Sequence, residues 1–298
     1  MKNENPKFVF FGTPDVAAQT LEILKQAGYL PALIVTAPDK PQGRKMLITP
    51  PPTKVWAIEN NIPFIQPDKI VEEKIYEVLR TLAQADEPSR AIFQQENMRG
   101  EQNFVDFFLV VAYGKILPEE IIKSPRLGSI NIHYSLLPKY RGASPVESAI
   151  LAGETETGVS IQQMEFKMDA GPILAEEKVE ILPDEKTEEL RARLIKIGGE
   201  LLVKILPDFL AEVGLPQIKQ DESEATFCKK IKKEDGLVDP FNDNPTKTYN
   251  KFRAYHKWPR IYYFDANKKR VIITDATLEN GKFVIKKIIP EGSKEKEY

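Results

Sequence analysis

The sequence predicts a Rossmann-like α/β fold with a mostly parallel sheet in the larger, N-terminal part, followed by a small, mostly β part. Short apolar runs alternate with helical patterns through residues 7–133, and this order is typical of a doubly wound sheet. The chain has 298 residues, which exceeds the usual size of one domain. We therefore expect two domains, at residues 1–206 and 207–298.

The strands and helices of the first domain follow from the lengths of these runs. The predicted strands are 7–11, 32–36, 107–112 and 129–133. The predicted helices are 16–26, 52–60, 71–82, 119–123 and 187–212. Gly12 begins a tight turn after the first strand, and Thr13 is expected to cap the next helix. Neither Gly-x-x-Gly nor Gly-Lys-Ser/Thr follows Gly12, which excludes a dinucleotide fingerprint and a P-loop.

The last part of the chain has a different pattern. From residue 221 short strands and turns replace the long helical runs. Asn280 and Gly281 separate the apolar runs 271–278 and 282–289, and both residue types tolerate the left-handed conformation of a tight primed turn. A β-hairpin is therefore predicted here.

The polar, Gln-rich segment 83–103 is predicted to be a surface excursion.

Composition narrows the class of protein. Hydrophobic residues make up 42% and charged residues 29%, as in ordinary globular proteins, and the apolar runs are too short to span a bilayer. The first residues lack the pattern of a signal or transit peptide, so a cytoplasmic location is expected. One cysteine cannot form an internal disulfide, and two histidines with one cysteine predict no metal site. No membrane partner is expected.

Charge differs slightly between the two predicted domains. Residues 207–298 contain 18 Lys and Arg against 15 Asp and Glu, whereas residues 1–206 contain 24 against 29. This asymmetry has the sign expected if the C-terminal part faces phosphates. On charge alone, an ordinary solvated surface explains it equally well.

Polar residues at the end of an apolar run form the chemical signature of the chain. Side chains alternate along a strand, so Asn131 and His133 project to the same side while Ile132 turns into the core. Asp169 lies 36 positions after His133. A carboxamide, an imidazole and a carboxylate together can stabilise an oxyanion and move a proton, as transfer of a carbonyl group requires. The loop 134–143 follows this strand. A capping box is expected at the start of the next helix, formed by Ser144, Pro145 and Glu147.

Six segments in order carry a family resemblance. They are 10–14 (FFGTP), 37–44 (APDKPQGR), 110–118 (VVAYGKILP), 128–176, 225–230 (ATFCKK) and 258–259 (WP). They resemble the methionyl-tRNA formyltransferase family, within the formyltransferases that use 10-formyltetrahydrofolate. The resemblance implies a C-terminal OB-like barrel, which commonly binds nucleic acid, although the chain ends soon after the hairpin and this barrel is expected to be shortened.

The resemblance also implies the reaction and its residues. A formyl group would move from N10 of the folate to the amine of methionine on initiator tRNA, in translation initiation. Asn131 and protonated His133 would stabilise the oxyanion, and Asp169 would orient His133 and help to remove the amine proton. One stretch of residues would line the folate pocket, and a second stretch would close it. The lining residues would be Val111, Ala112, Tyr113, Gly114 and Ile116, and the closing residues would be Ser135, Leu136, Leu137 and Pro138.

The remaining partner implied by the resemblance is the tRNA. The basic, proline-stiffened loop 39–52 is the segment that would wedge into the acceptor end, with Arg44 as the main contact. Phosphate contacts would come from Lys40, Lys45, Lys139 and Arg141. A monomer is expected.

Three other functions remain open from the sequence. The same Asn, His and Asp would serve an N-formyltransferase acting on a nucleotide-linked amino sugar, although the loop 39–45 and the C-terminal part argue against it. Water in place of the amine would give hydrolysis of the formyl-folate. A non-catalytic RNA-binding protein is the third alternative, against which the intact Asn131, His133 and Asp169 weigh.

Overall fold

The computed structural model of the protein describes residues 6–43, 46–69, 75, 77 and 105–298. The chain forms two compact units, and each is built from three separate segments. The first unit contains Met1–His133, Ser160–Glu176 and Ile195–Gln220. The second unit contains Tyr134–Val159, Glu177–Leu194 and Asp221–Tyr298. The division into domains 1–206 and 207–298 stays a prediction.

Strands and helices alternate in the first half of the chain. The strands there are β1 (Phe8–Gly12), β2 (Leu33–Val35), β3 (Lys40–Gln42), β4 (Leu47–Thr49), β5 (Phe64–Ile65), β6 (Phe107–Val111) and β7 (Ser129–His133). The helices between them are α1 (Asp15–Gln26), α2 (Pro52–Glu59) and α3 (Glu119–Lys123).

The second half contains the remaining elements. Its strands are β8 (Arg141–Gly142), β9 (Glu156–Gln163), β10 (Ile173–Glu180), β11 (Phe227–Cys228), β12 (Tyr262–Phe264), β13 (Arg270–Glu279), β14 (Lys282–Pro290) and β15 (Lys296–Glu297). Its α-helices are α4 (Pro145–Ala152), α5 (Thr187–Ala211) and α6 (Pro245–Ala254). None of the helices in the described ranges combines the length and the apolar character needed to cross a membrane.

The main sheet has seven strands in the order β10-β9-β7-β6-β1-β2-β5. Strand β1 pairs in parallel with β2 and β6, and β6 pairs in parallel with β7. Strand β9 then runs antiparallel to β7. The mostly parallel sheet predicted from the sequence is therefore confirmed, with an antiparallel edge beside β7 that the sequence analysis did not predict.

The core of this sheet lies around β1 and β6, whose residues are all buried. Parallel strands covered on both faces are apolar throughout, which explains their continuous Phe and Val runs. The rings of Phe8 and Phe107 stack with centroids 5.1 Å apart, and Phe209 of α5 meets Phe107 edge-on at 5.5 Å. Strand β7, which carries Asn131 and His133, pairs with β6 beside this core.

Two predicted helix caps are wrong. Thr13 does not cap α1, because its hydroxyl donates to the Tyr113 carbonyl at 3.0 Å and Pro14 takes the N-cap position. Ser144 and Pro145 do begin α4 as predicted, but no capping box forms. The carboxylate of Glu147 instead accepts a hydrogen bond from Arg191.

Antiparallel strands dominate the end of the chain. Asn280 and Gly281 have φ values of 48° and 75°, so the predicted hairpin turn between β13 and β14 is confirmed. The sheet order is β12-β13-β14-β15, a four-stranded antiparallel sheet where the resemblance implied an OB-like barrel.

Two predicted segments lie outside the described residues. They are the surface excursion 83–103 and the helix 71–82, apart from residues 75 and 77.

Truncation of Phe107 is expected to destabilise the first unit strongly. Its ring is fully buried between Phe8 and Phe209, so Phe107→Ala removes both contacts and leaves a cavity. We expect the free energy of unfolding to fall by about 3–5 kcal/mol, measured by urea denaturation. Phe166→Ala serves as the control, because this side chain is 60% exposed and its loss should change stability by less than about 0.5 kcal/mol. Equal effects of the two variants would contradict the packing described.

Candidate functional site

Strand β7 presents two polar side chains from the middle of the main sheet. Asn131 and His133 are separated by one residue, and both are largely buried, at 9% and 5% exposure. Ile132 between them is buried at 2% exposure, as the alternation of a strand requires. His133 is the last residue of β7, and ligand sites in open α/β sheets lie at the carboxyl ends of such strands.

Asp169 reaches this site through a long loop. The chain leaves β9 beside the start of β7, where the Met164 N–H donates to the Ser129 carbonyl at 2.7 Å. It then returns, so that Asp169 Oδ2 lies 3.8 Å from His133 Nδ1. This distance is too long for a hydrogen bond but suits an ion pair when the imidazole is protonated. The structure thus brings His133 and Asp169 together, as the sequence analysis requires.

Strand β9 supplies a neighbour that the sequence analysis missed. Gln162 lies opposite Asn131 in the β7–β9 ladder, and its Nε2 donates to Asp169 Oδ1 at 3.1 Å. Gln162 is 1% exposed, so this contact is formed away from water. The hydrogen bond therefore connects Asp169 to the position on β9 that lies opposite Asn131. Alternation from Ser160, which lies opposite His133, is the signal that could have identified Gln162 once β9 was recognised as a strand.

A second missed residue supports the same loop from its backbone side. Gln220 is 5% exposed, and its Nε2 donates to the carbonyls of Asp169 at 2.9 Å and of Gly171 at 2.7 Å. It lies 51 residues after Asp169 in an irregular segment. The sequence carries no local signal for this contact, since nothing in the pattern places these two segments side by side.

The first predicted folate segment follows the end of β6. Val111 is buried within the strand, and Ala112 has a φ of 48° and is exposed. Gly114, with a φ of 82°, has open space where a Cβ would lie. The side chain of Ile116 is 75% exposed. Ala112, Gly114 and Ile116 therefore offer open, apolar surface, which suits a flat ring.

Tyr113 in the same segment has a different placement. Its ring packs edge-on against Phe11 with centroids 5.5 Å apart and is 2% exposed, so it belongs to the core. The Tyr113 hydroxyl has no hydrogen-bond partner among the described residues. Burial raises the pKa of the Tyr113 phenol to about 12, because the charged form cannot be solvated there.

The second predicted folate segment, 135–138, belongs to the second unit. Ser135 is fully buried, and its hydroxyl donates to the Lys139 carbonyl at 2.6 Å, so it holds the turn together. Leu137 is also buried, at 5% exposure, while Leu136 and Pro138 are partly exposed. The roles of these residues toward a folate stay predictions.

The predicted tRNA contacts divide by exposure. Lys40 on β3 is exposed, and Lys139 is about half exposed with its Nζ 3.7 Å from Glu154 Oε1. Arg141 is fully buried, and its guanidinium donates to Glu222 at 3.0 Å, so it is not presented to a phosphate. Burial on β8, with Glu222 as its ion-pair partner, accounts for this placement. Arg44 and Lys45 lie outside the described residues.

The β3–β4 hairpin begins from a fixed point in the first unit. Lys54 Nζ donates to both carboxylate oxygens of Asp39, at 2.9 and 2.8 Å, and Gln66 donates to Asp39 at 2.7 Å. The hydrogen bonds from Lys54 and then Gln66 lower the pKa of the Asp39 carboxyl. Beyond this anchor, Leu47 and Ile48 are 64% and 67% exposed on β4. The hairpin therefore carries apolar side chains into solvent.

A separate cleft of about 680 Å³ opens beside the start of β7, lined by residues that include Gly128, Gln163 and Glu212. Arg126 of this lining pairs with Glu212 at 2.7 Å and with the neighbouring Asp106 at 2.8 Å. Within the described ranges, no three His, Cys, Asp or Glu side chains are grouped so that they could hold a metal ion. The predicted catalytic residues His133 and Asp169 are not among the residues that line this cleft.

Known proteins resemble this chain along most of its length. Residues 6–206 match the family model described as formyl transferase, and residues 230–293 match the formyl transferase C-terminal domain. The chain is 40% identical over 258 residues to the methionyl-tRNA formyltransferase of Chloroflexus aggregans, covering 87% of this chain and 76% of that protein. It is 39% identical over 262 residues to that of Thermotoga maritima, covering 88% and 76%.

Solved structures share the fold at lower identity. The methionyl-tRNA formyltransferase from Clostridium thermocellum has a TM-score of 0.58 at 16% identity, covering 96% of this chain and 98% of that one. An N-formyltransferase from Helicobacter canadensis, in complex with folinic acid and dTDP-3-aminofucose, has a TM-score of 0.63 at 18% identity, covering 92% and 88%. At these identities the likeness concerns the fold.

Removal of the Tyr113 hydroxyl is expected to leave the protein as stable or more stable. Tyr113→Phe keeps the buried ring but deletes a polar atom without a partner among the described residues. The free energy of unfolding should rise by up to about 1 kcal/mol in chemical denaturation. Tyr249→Phe is the matched control, because the Tyr249 hydroxyl donates to Asp184 at 2.8 Å and its loss should cost about 1 kcal/mol or more. A loss of stability in Tyr113→Phe would argue against an unsatisfied hydroxyl.

Proposed function

Because the chain belongs to the methionyl-tRNA formyltransferase family, we propose that it transfers a formyl group from 10-formyltetrahydrofolate to the amino group of methionyl-initiator-tRNA. The family resemblance noted in the six sequence segments is confirmed by the two family models and by the relatives. The product, N-formylmethionyl-tRNA, serves translation initiation.

One geometric observation carries the proposal. Asp169 Oδ2 lies 3.8 Å from His133 Nδ1, at the end of a strand that also presents Asn131 to the same side. These residues come from segments that are far apart in the chain, and a buried imidazole–carboxylate pair at a strand end is typical of acid–base chemistry. The relatives supply the substrate, since they are methionyl-tRNA formyltransferases by name.

Asn131 and His133 stabilise the charge that develops during transfer. When the amine attacks the formyl carbon, negative charge collects on the formyl oxygen. The Asn131 carboxamide and a protonated His133 both donate hydrogen bonds, and in a largely buried site such donors act more strongly than in water. The bond from the formyl carbon to N10 then breaks, the amine loses one proton and N10 gains one.

Asp169 has two tasks in this scheme. Its carboxylate lies 3.8 Å from His133 Nδ1 and orients the imidazole. It also accepts the proton that the amine loses, directly or through a water molecule, and passes it on to N10 as the bond from the formyl carbon to N10 breaks. Gln162 occupies Asp169 Oδ1, which leaves Oδ2 as the oxygen nearer to the imidazole.

The folate would lie against the segment that follows β6. The exposed Ile116 and Ala112, and the open space around Gly114, fit the apolar face of a pterin ring. Backbone groups of this segment would read the polar edge of the ring. Tyr113 is excluded from direct contact in this proposal because its ring is in the core.

The tRNA end would meet the β3–β4 hairpin. Its base is anchored by Asp39, Lys54 and Gln66, and its outer strand exposes Leu47 and Ile48. An anchored hairpin with apolar side chains can insert against unpaired bases, while Lys40 and Lys139 supply charge for phosphates. Arg44 and Lys45 complete the set as predicted contacts. We leave out Arg141, which is buried against Glu222.

Incubation with 10-formyltetrahydrofolate and methionyl-initiator-tRNA tests the proposed function. Formyl-methionyl-tRNA as product supports it, and formate without that product would indicate hydrolysis. RNA binding without turnover would indicate a binding protein. Formylation of a nucleotide-linked amino sugar in place of the tRNA would favour the second candidate, for which the shared fold of the Helicobacter canadensis enzyme is the supporting observation.

Substitution of Asn131 or of Asp169 should reduce turnover without loss of the fold. Asn131→Ala removes one oxyanion donor, and we expect kcat for tRNA formylation to fall by about 10²–10³-fold with little change in KM. Asp169→Asn keeps the shape of the side chain but removes its charge, and a loss of at least this size is expected. Gln26→Ala on the exposed face of α1 is the control. Wild-type kcat in either site variant would remove that residue from the mechanism.

Arg44→Ala separates the two substrates. Because Arg44 is proposed to contact the tRNA end and not the folate, this variant should raise KM for methionyl-tRNA or lower kcat. The dissociation constant of a folate analogue, measured by calorimetry, should stay within about twofold. Lys196→Ala also removes one positive charge, on an exposed turn of α5, and it should affect the binding of neither substrate. An equal loss of tRNA formylation and folate binding would refute the assignment of Arg44.

A further inference from the structure

The loop that carries Asp169 needs support from outside itself. Asp169 has a φ of 48°, a left-handed conformation that residues with a side chain adopt rarely. Such a conformation persists when surrounding contacts hold it. Gly171, two residues later, has no room for a side chain, because a Cβ would lie 1.8 Å from the Gln163 carbonyl oxygen. The end of the loop is therefore packed tightly against β9, while Asp169 itself is held by hydrogen bonds.

Gln220 supplies the hydrogen bonds to the backbone of this loop. A primary amide has two N–H donors, and the Gln220 amide nitrogen lies 2.9 Å from the Asp169 carbonyl and 2.7 Å from the Gly171 carbonyl. Both carbonyls flank the same turn. With 5% exposure, Gln220 makes these bonds where water does not compete.

The segment before Gln220 is held against the same part of the chain. Ile218 and Ile173 exchange two backbone hydrogen bonds, at 2.9 and 3.0 Å. Ile173 is the first residue of β10, just after the Asp169 loop. The backbone just before Gln220 is therefore paired with the residues that follow the Asp169 loop, and the Gln220 side chain approaches the loop from there. Its position does not depend on a single flexible contact.

We propose that Gln220 is a positioning residue, which holds the backbone of Asp169 so that its carboxylate meets His133. Gln162 orients the carboxylate itself, through its bond to Oδ1. Gln220 binds the backbone carbonyl of Asp169, and its effect on the reaction passes through that residue. This inference rests on the proposed function, because it assigns to Gln220 a part in placing one of the proposed catalytic side chains.

The test compares two replacements of Gln220 in the full chain. Gln220→Met keeps the length of the side chain and removes both donors, while Gln220→Glu places a carboxylate against two carbonyl oxygens. We expect kcat for formylation of methionyl-tRNA to fall by about 10–100-fold in Gln220→Met, because a misplacement of about 1 Å is enough for such a loss. A larger fall is expected in Gln220→Glu. KM for both substrates should stay within about twofold.

Asn60→Leu is the matched control. Asn60 also donates its side-chain amide to a backbone carbonyl, that of Trp56 at 2.8 Å, in the same unit but at the end of α2, on a contact that does not reach Asp169. It should retain kcat within about twofold. If Gln220→Met does not fold, Gln220→Asn replaces it: the shorter amide cannot reach both carbonyls, and an intermediate loss of kcat is expected. Thermal unfolding midpoints of all variants are measured in parallel.

A double-mutant cycle with Asp169→Asn separates positioning from general stability. If Gln220 acts through Asp169, then Gln220→Met should change kcat by less than about twofold in the Asp169→Asn background. An equal loss in both backgrounds, or a kcat for Gln220→Met equal to that of Asn60→Leu, would overturn the inference. Absence of formyl-methionyl-tRNA with the wild-type protein would instead overturn the proposed function.

Discussion

The approach of Asp169 to His133 is the constraint on which the proposed chemistry depends. Asp169 Oδ2 and His133 Nδ1 are 3.8 Å apart, and the two residues come from segments that are separate in the chain. A displacement of about 1 Å would weaken this pairing and the alignment with the reacting atoms. The surrounding structure is therefore best understood as a set of contacts that fixes two side chains from distant segments.

The sheet fixes one partner and a loop fixes the other. Strand β7 is paired on both sides, by β6 and by β9, so Asn131 and His133 have little freedom to move. Asp169 has no such ladder, and its backbone is in a left-handed conformation. Hydrogen bonds from the side chains of Gln162 and Gln220 take the place of strand pairing there. Glutamine suits this role because a neutral amide donates hydrogen bonds without adding another charge to the site.

Burial decides which basic residues of the chain are available to an anionic partner. Arg141 and Lys139 are two positions apart in one basic loop, yet Arg141 is fully buried with Glu222 and Lys139 is about half exposed. A pattern of Lys and Arg in the sequence does not distinguish these cases. On the β3–β4 hairpin, in contrast, Lys40 is exposed together with the apolar Leu47 and Ile48.

The sequence by itself determined the alternation of strands and helices, the strand 129–133, the hairpin turn at Asn280 and the polar residues at the end of β7, because periodicity and turn chemistry are local properties. Only the tertiary structure decided the antiparallel placement of β9, the burial of Arg141 and Tyr113, and the meeting of Gln220 with the Asp169 loop. These features depend on contacts between residues far apart in the chain, and such contacts leave no periodic trace in the order of the residues.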